Sequence, residues 1–131
     1  MEYVVKDVEA IAQKLREINT KKAETGKKGL QRIRGSVDLT FDDEKTKASG
    51  TLKMVGCYAL YKRGLFGKKV RYFDVSLRFD RTREGNYRLK VVDVMTYTLD
   101  KGTVRLIKES APKELLDLVD EDLREAGAQR A

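Results

Sequence analysis

Few side chains in this 131-residue sequence could carry out catalysis, because it has no histidine and one cysteine, Cys57. Without histidine, neither a Ser–His nor a Cys–His nucleophile pair can form. The glycine-rich phosphate-binding motifs and the nucleophile-elbow motif are also absent from the sequence. Cys57 lies inside a predicted strand, where a small packed residue is the more frequent role of cysteine. We therefore expect a protein that is not an enzyme and uses no cofactor.

Carboxylates are the remaining route to a metal site, since zinc normally takes cysteine and histidine ligands. Asp93 interrupts an apolar alternation between Val91 and Met95, so it is a candidate buried acid. Asp74 lies on the neighbouring predicted strand but at the opposite parity. The two carboxylates would then face away from each other, unless a bulge intervenes. We expect no metal site, and we expect Asp93 to pair with an arginine or to lie at the sheet margin.

Basic and aromatic residues are interleaved in the middle of the chain, and this combination is typical of polyanion binding. The net charge is +7, and residues 61–90 carry ten basic and three acidic groups. Arginine and lysine contact phosphates, while aromatic rings stack on bases. The candidate nucleic-acid-binding residues are Arg32, Arg34, Lys53, Tyr61, Lys62, Arg63, Phe66, Lys68, Lys69, Arg71, Tyr72, Arg78, Arg88 and Lys90.

A predicted hairpin turn within residues 61–69 carries two bulky apolar residues, Leu65 and Phe66, between two basic pairs. Exposed apolar side chains of this size need a cover. A base stack, a wedge between base steps, a membrane interface or a partner subunit could each provide it. Alternatively, the turn folds back so that Phe66 caps the core.

A helix followed by a run of strands must position these residues. Apolar residues at steps of three and four predict a first helix over residues 5–24, which the glycines at 26 and 29 end. From residue 30 to residue 99 the period is two, which predicts an antiparallel meander over residues 30–108 with one packed face and one solvent-exposed face. We expect four strands, with Thr103–Lys108 as a short fifth strand.

The alternation predicts which side chains face the core. The residues expected inward include Ile33, Val37, Leu39, Phe41, Leu52, Met54, Tyr58, Leu60, Phe73, Val75, Leu77, Phe79, Tyr87, Leu89, Val91, Met95, Tyr97 and Leu99. The residues expected outward include Arg32, Arg34, Lys53, Tyr61, Arg71, Tyr72, Arg78, Arg88 and Lys90, opposed by Asp38 and Asp74. The outer face of the sheet is therefore predicted to be cationic and aromatic.

A second, acidic helix is predicted over residues 111–126, with Ser110 as N-cap, Pro112 in the first turn and Gly127 as the stop. From Glu109 to Glu125 the charge is −5, so this helix is a solvated face, a shield for the basic surface or a contact to a second copy. The predicted fold class is α+β: a single domain, residues 1–131, with an antiparallel four- to five-stranded meander and both terminal helices packed on one face.

These features predict a small basic nucleic-acid-binding protein that favours single strands with weak sequence specificity. Duplex binding is less favoured, because neither helix has the charge that suits a groove. One alternative is a non-enzymatic ligand-binding protein with an apolar pocket lined by Tyr58, Phe73, Phe79, Met95 and Tyr97. The other is a homo-oligomeric accessory protein, such as a homodimer, that docks through Leu65 and Phe66.

The composition indicates the setting of the protein. Charged residues make up 37 % of the chain, against roughly 25 % in ordinary domains, and amide side chains are few. We expect a cytoplasmic, non-secreted protein of a thermophilic archaeon or its virus, with a melting temperature above about 60 °C. Neither a signal peptide nor an apolar run of membrane-spanning length is expected, and no membrane partner is predicted.

Overall fold

The structure is a computed structural model that describes residues 1–21, 26–27, 29–64 and 67–131, with only the backbone described at residues 26, 27, 63, 64 and 68. Its elements in chain order are β1 (Glu2–Val5), α1 (Val8–Lys21), β2 (Gly26–Lys27), β3 (Leu30–Arg32), β4 (Ser36–Phe41), β5 (Ser49–Gly64), β6 (Gly67–Arg81), β7 (Tyr87–Asp100), β8 (Thr103–Ile107), α2 (Lys113–Glu125) and β9 (Gln129–Arg130).

The described strands form one curled antiparallel sheet with the order β2-β3-β5-β6-β7-β1-β9. Two further strands share its flanks, because β4 also pairs with β5 and β8 also pairs with β7. The predicted α+β domain with two terminal helices is confirmed, but the sheet has more strands than the four or five predicted. The difference arises because β5 and β7 are each long enough to pair with two short strands along one edge. β5 pairs with β3 and β4, and β7 pairs with β1 and β8.

Both helices contribute to the core on one side of this sheet, which we call the inner face. The buried residues of β5 and β6 that form it are those predicted from the alternation, including Leu52, Met54, Tyr58, Phe73, Val75, Leu77 and Phe79. Ile11 and Leu15 of α1 and Leu115, Val119 and Leu123 of α2 belong to the same core cluster. Burial of these apolar side chains is the main stabilising contribution to the fold.

The N-terminal segment differs from its prediction, because residues 2–5 form a strand before the helix begins. Tyr3 and Val5 alternate with exposed or half-buried neighbours and point into the core. Asp7 then caps the helix, since its Oδ1 accepts hydrogen bonds from the backbone N–H groups of Glu9 and Ala10 at 3.0 and 3.2 Å. A side-chain cap of this kind fixes the helix start at Val8. The described part of the helix ends at Lys21, and the predicted end at residue 24 lies outside the described residues.

The segment predicted as one strand around residues 32–41 is broken in two. β3 pairs with one half of β5 and β4 with the other, and the change occurs beside an irregularity of β5 between Met54 and Tyr58. Gly35 is required at the crossing, because a Cβ there would lie 2.1 Å from the Val55 carbonyl oxygen. The break changes the parity of the chain, so Arg32 pairs with Tyr58 and faces inward.

A β-bulge in β7 also changes the face that its residues occupy. Leu77 pairs with Val91 whereas Ser76 pairs with Asp93, so Val92 is an extra residue. An extra residue of this kind moves every later side chain to the opposite face. Thr96 therefore pairs with Phe73 and faces the core, while Tyr97 pairs with Tyr72 and faces outward. The prediction that Met95, Tyr97 and Leu99 point inward is wrong for this reason.

The C-terminal helix begins at Lys113, with Pro112 as the N-cap residue and no side-chain cap, so the predicted cap at Ser110 is wrong. Its predicted end is confirmed, because Gly127 has φ +110°. The N–H of Gly127 donates to the Arg124 carbonyl and that of Ala128 to the Leu123 carbonyl, which is a Schellman motif. None of the helices described is both long and apolar enough for a membrane span.

Candidate nucleic-acid interface

Two of the predicted phosphate contacts lie on the inner face instead of the outer face. Arg32 is buried and donates from Nε and Nη2 to Asp122 of α2, at 3.0 and 2.8 Å, while Tyr58 donates its hydroxyl to the same carboxylate at 2.7 Å. Burial lowers the pKa of Arg32, but the hydrogen bond to Asp122 and the negative charges of Asp122 and Glu121 together outweigh burial and raise it. Arg71 shares the parity of Phe73 and contacts Glu109 at 3.2 Å. Arg32 is thus part of the helix–sheet contact and is not accessible to a ligand.

Three other predicted cations lie together at one end of the outer face, among acids that compensate them. Arg78 forms a two-pronged contact with Asp42, at 3.1 and 2.7 Å. The hydrogen bonds from Arg78 and Ser49 lower the pKa of Asp42 to about 2. In the sheet register, Asp80 pairs with Arg88 and Glu2 pairs with Lys90. This end of the sheet is therefore close to neutral.

The remaining outer-face cations are also separate from one another. Arg34 is exposed in the break between β3 and β4. Lys53 is exposed on β5, where its register neighbours are Asp38 on β4 and Ser76 on β6. The single cationic face predicted from strand alternation is thus replaced by scattered charges of both signs.

The strands of three hairpins end together at the opposite end of the sheet, which we call the hairpin end. The hairpins pair β2 with β3, β5 with β6 and β7 with β8, and β3, β5, β6 and β7 are neighbours in the sheet. Leu30 pairs with Leu60 and Tyr61 pairs with Val70. If the register of Tyr72 with Tyr97 is continued, Asp100 is level with Lys69. The ends of the hairpins therefore lie side by side, within a few residues of the same level.

The hairpin end carries an excess of positive charge. From Lys62 to Arg71 the sequence has five basic residues and no acidic residue. Lys62 and Lys69 are exposed and directly opposite each other, and among the described residues neither forms an ion pair with a carboxylate. A like-charged cross-strand pair is destabilising. A bound anion would remove that repulsion.

The other predicted residues of this hairpin are described in part. The backbone of Arg63 pairs with that of Lys68, one position nearer to the turn than Lys62 and Lys69. Phe66 and Leu65 lie outside the described residues, so the predicted role of this pair is not resolved by the fold. Five predicted residues, Tyr61, Lys62, Arg63, Lys68 and Lys69, are nevertheless brought together at the hairpin end.

Aromatic and aliphatic side chains cover the outer face just below the hairpin end. Ala59, Tyr72, Tyr97 and Leu106 follow one another across β5, β6, β7 and β8 in a first row. Two residues nearer to the hairpin end, Tyr61 pairs with Val70 and Leu99 pairs with Val104 in a second row. We call the outer strip the set Tyr61, Val70, Tyr72, Tyr97, Leu99, Val104 and Leu106.

A tyrosine pair fixes the centre of the outer strip. The rings of Tyr72 and Tyr97 stack with centroids 5.6 Å apart and an interplanar angle of 23°. Tyr97 donates its hydroxyl to Asp74 at 3.0 Å, and the N–H of Gly56 donates to the same carboxylate oxygen at 2.8 Å. Burial, together with this hydrogen bond, raises the pKa of Tyr97 to about 12. Tyr97 is thus a rigid, neutral support beneath the more exposed Tyr72.

The apolar residues of β7 and β8 in this strip are not among the nucleic-acid-binding residues predicted from the sequence. Leu99, Val104 and Leu106 are 49 %, 52 % and 68 % exposed. The sequence carries one signal for them, because the apolar residues Val91 and Val92 are adjacent just before Asp93. Such a doubled apolar position within an alternating strand indicates a bulge.

The predicted ligand pocket does not form as one cavity. Tyr58, Phe73 and Phe79 are packed in the core with 1 %, 1 % and 0 % exposure. Met95 and Tyr97 lie on the opposite side of the sheet from them.

The candidate acids do not form a metal site. The bulge places Asp93 on the same face as Asp74, but Asp93 is exposed beside Ser76. Among the described residues, no group of three potential ligands could hold a metal ion. Cys57 is buried, and burial, with Asp74 nearby, raises the pKa of its thiol to about 12, so it is not a nucleophile at neutral pH.

The acidic helix lies on the inner face and is part of the core. Asp122 pairs with Arg32, and Asp120 accepts hydrogen bonds from the hydroxyl of Tyr3 and the guanidinium of Arg130. The hydrogen bond from Arg130 lowers the pKa of Asp120. Two of the acids expected on a solvated face therefore hold α2 on the sheet. Removing the helix would open the core, so a truncation cannot test whether it competes for the basic surface.

No protein-family model, curated protein or solved structure matches this chain.

Proposed function

We propose that this protein binds single-stranded nucleic acid and that the phosphates of the strand contact the hairpin end. The observation that carries this proposal is the exposed pair Lys62 and Lys69, which lie directly opposite each other where three hairpins end and form no ion pair among the described residues. At the other end of the sheet, Arg78 is paired with Asp42, and Arg88 and Lys90 have Asp80 and Glu2 as register neighbours. A polyanion is therefore attracted to one end of the molecule.

The affinity is mostly electrostatic, because lysine and arginine contacts to phosphate release counterions and carry no sequence information. Lys62, Lys69 and Arg71 share the parity of Phe73, so all three belong to the inner-face side of this hairpin. The Nη2 of Arg71 contacts Glu109, while its buried Nε has no hydrogen-bond partner among the described residues.

A homo-oligomer is the second candidate function, and one observation favours it. β8 pairs with β7 on one side, and within the described chain its other side pairs with no strand. An open edge with apolar side chains is a template for another chain. The solution mass of the protein at micromolar concentration separates the two candidates.

The test compares two double variants that remove the same charge at opposite ends of the sheet. The variant Lys62→Gln with Lys69→Gln removes two exposed cations at the hairpin end. The control, Arg88→Gln with Lys90→Gln, removes two exposed cations about nine residues away along the strand direction, or roughly 30 Å at about 3.3 Å per residue. Binding of a labelled 20-nucleotide single strand is followed by fluorescence anisotropy from low to moderate salt.

The hairpin-end variant is expected to bind about tenfold more weakly at low salt. Its salt slope should fall by roughly 1.4, since each phosphate contact to a single strand contributes about 0.7. The control variant should retain the slope of the parent protein. Equal losses in both variants would contradict the proposed location, and no binding at low salt would contradict the function itself.

A further inference from the structure

The outer strip is an exposed apolar surface that the fold itself leaves uncovered. Its three aliphatic members on β7 and β8, Leu99, Val104 and Leu106, are 49 %, 52 % and 68 % exposed. Leu99 pairs with Val104, and Leu106 pairs with Tyr97. Scattered exposed apolar residues need no explanation, but a contiguous group of this kind marks a binding surface.

We infer that the outer strip binds the bases of the strand whose phosphates contact the hairpin end, and that this surface selects single-stranded over duplex nucleic acid. The inference rests on the proposed function and adds Tyr97, Leu99, Val104 and Leu106 to the site. Bases in a duplex are stacked and paired, so only a single strand can lay them on a protein surface.

The spacing of the rows suits one nucleotide chain. The second row, Tyr61 with Val70 and Leu99 with Val104, lies two residues from the level of Arg63 and Lys68, which is roughly 7 Å along the strands. A chain that passes around the hairpin end can therefore contact Lys62 and Lys69, on the inner-face side, with its phosphates and lay its bases on the strip. From β5 to β8 the strip crosses four strands, about 14 Å at ~4.8 Å per strand, which is room for about three bases.

The rings in the strip are already oriented for this role. Tyr72 is stacked on Tyr97, and Tyr97 is held by its hydrogen bond to the buried Asp74. A ring held in place loses little conformational entropy when a base stacks on it. Leu106, next to Tyr97 in the same row, extends this apolar row toward the edge of the sheet.

Charge favours a nucleic acid over a second copy as the occupant. The hairpin end next to the strip carries the cations Lys62, Lys69 and Lys101 and one described acid, Asp100, which is 3.7 Å from Arg105. Two copies packed strip against strip would bring two such ends together, each on a chain of net charge +7. Like-charge juxtaposition of this kind is unfavourable, whereas a polyanion is complementary to the same surface.

The test uses exposed residues whose substitution leaves the core intact. In the variant Val104→Thr with Leu106→Thr, the substituted residues keep a high β-propensity and lose their apolar contacts. The control Val92→Thr makes the same kind of change at a residue that is 51 % exposed in the β7 bulge, outside the strip. Each protein is titrated with a labelled 20-nucleotide single strand and with its duplex, and is sedimented without nucleic acid.

The strip variant is expected to bind the single strand about fivefold more weakly, with an unchanged salt slope and unchanged duplex affinity. The control should match the parent protein in all three readouts. If the parent protein binds and the strip variant keeps the same ratio of single-strand affinity to duplex affinity, the inference is overturned and the proposed function stands. A dimeric parent protein that the strip variant makes monomeric would also overturn it, in favour of a second copy. If the parent protein binds no nucleic acid at low salt, the proposed function and the inference both fall.

Discussion

Buried charged residues in this protein hold the helix on the sheet, and Asp122 is the clearest case. It accepts hydrogen bonds from the guanidinium of Arg32 and the hydroxyl of Tyr58, and all three groups are buried. Breaking a buried pair costs more than the pair contributes, because it leaves an uncompensated charge away from water. A basic residue in an alternating strand therefore does not by itself identify the solvent-exposed face.

The first prediction concerns this pair. Asp122→Asn keeps the shape of the side chain but leaves Arg32 buried without its charged partner, so the free energy of unfolding should fall by about 3 kcal/mol. Urea denaturation measures this change. Glu121→Gln is the matched control, because Glu121 lies 3.5 Å from Arg32 but is exposed, and it should change stability by less than about 0.5 kcal/mol. Equal effects of the two substitutions would contradict the assignment.

The second prediction concerns pH and the exposed pair Arg78–Asp42. The pKa of Asp42 is about 2 in the folded protein, mainly because of its hydrogen bonds from Arg78 and Ser49. A carboxyl whose pKa is lowered by folding stabilises the fold above the unfolded pKa, near 4, and this contribution is lost as the pH falls from about 4 toward 2. Arg78→Gln should raise the midpoint of Asp42 toward 4 in a carboxyl-carbon NMR titration. A midpoint that does not move would show that the pair is absent in solution.

At the level of elements, irregularities of the strands decide which side chains share a face. The break between β3 and β4 turns Arg32 inward, and the bulge at Val92 turns Tyr97 and Leu99 outward. A strict alternation of inward and outward residues predicts neither irregularity. Each one shifts the chain by one position, so the side chains beyond it lie on the opposite face of the sheet. The outer strip exists because of the second of them.

The third prediction tests the bulge. Deleting Val92 would place Met95, Tyr97 and Leu99 on the inner face and push Val94 and Thr96 outward, so we expect a loss of several kcal/mol of stability or an insoluble protein. Val92→Thr keeps the bulge and should change stability by less than about 0.5 kcal/mol. Thermal denaturation followed by circular dichroism compares the two. A deletion variant that melts within a few degrees of the parent protein would show that the bulge does not set the faces.

The sequence predicted the elements much better than the site. Apolar periodicity was sufficient for α1, the long strands and α2, and Gly127 ended α2 as predicted, because these signals are local. The start of α1 was predicted at residue 5 instead of Val8, because Val5 fits the helical spacing as well as a strand pattern, and only the cap at Asp7 decides between them. The site depends on register and on the meeting of distant turns, which a single sequence does not encode in any local pattern.

At the level of the whole molecule, the net charge of +7 is less informative than its placement. One end of the outer face pairs its cations with acids, whereas the hairpin end combines basic strand ends with an adjoining apolar strip. A uniform excess of charge would attract any polyanion to any part of the surface. The observed arrangement predicts one docking end, with phosphates at the hairpin end and bases on the strip.

The most direct test of this account is amide chemical-shift mapping of the ¹⁵N-labelled protein, titrated with an unlabelled single strand of about ten nucleotides. At 15.0 kDa the protein is well suited to such spectra. The shifted amides are expected to cluster in residues 59–64, 67–72 and 97–107, while those around Arg78, Arg88 and Lys90 stay in place. Shifts centred on the Arg78 end, shifts spread evenly over the surface, or no shifts at low salt would contradict it.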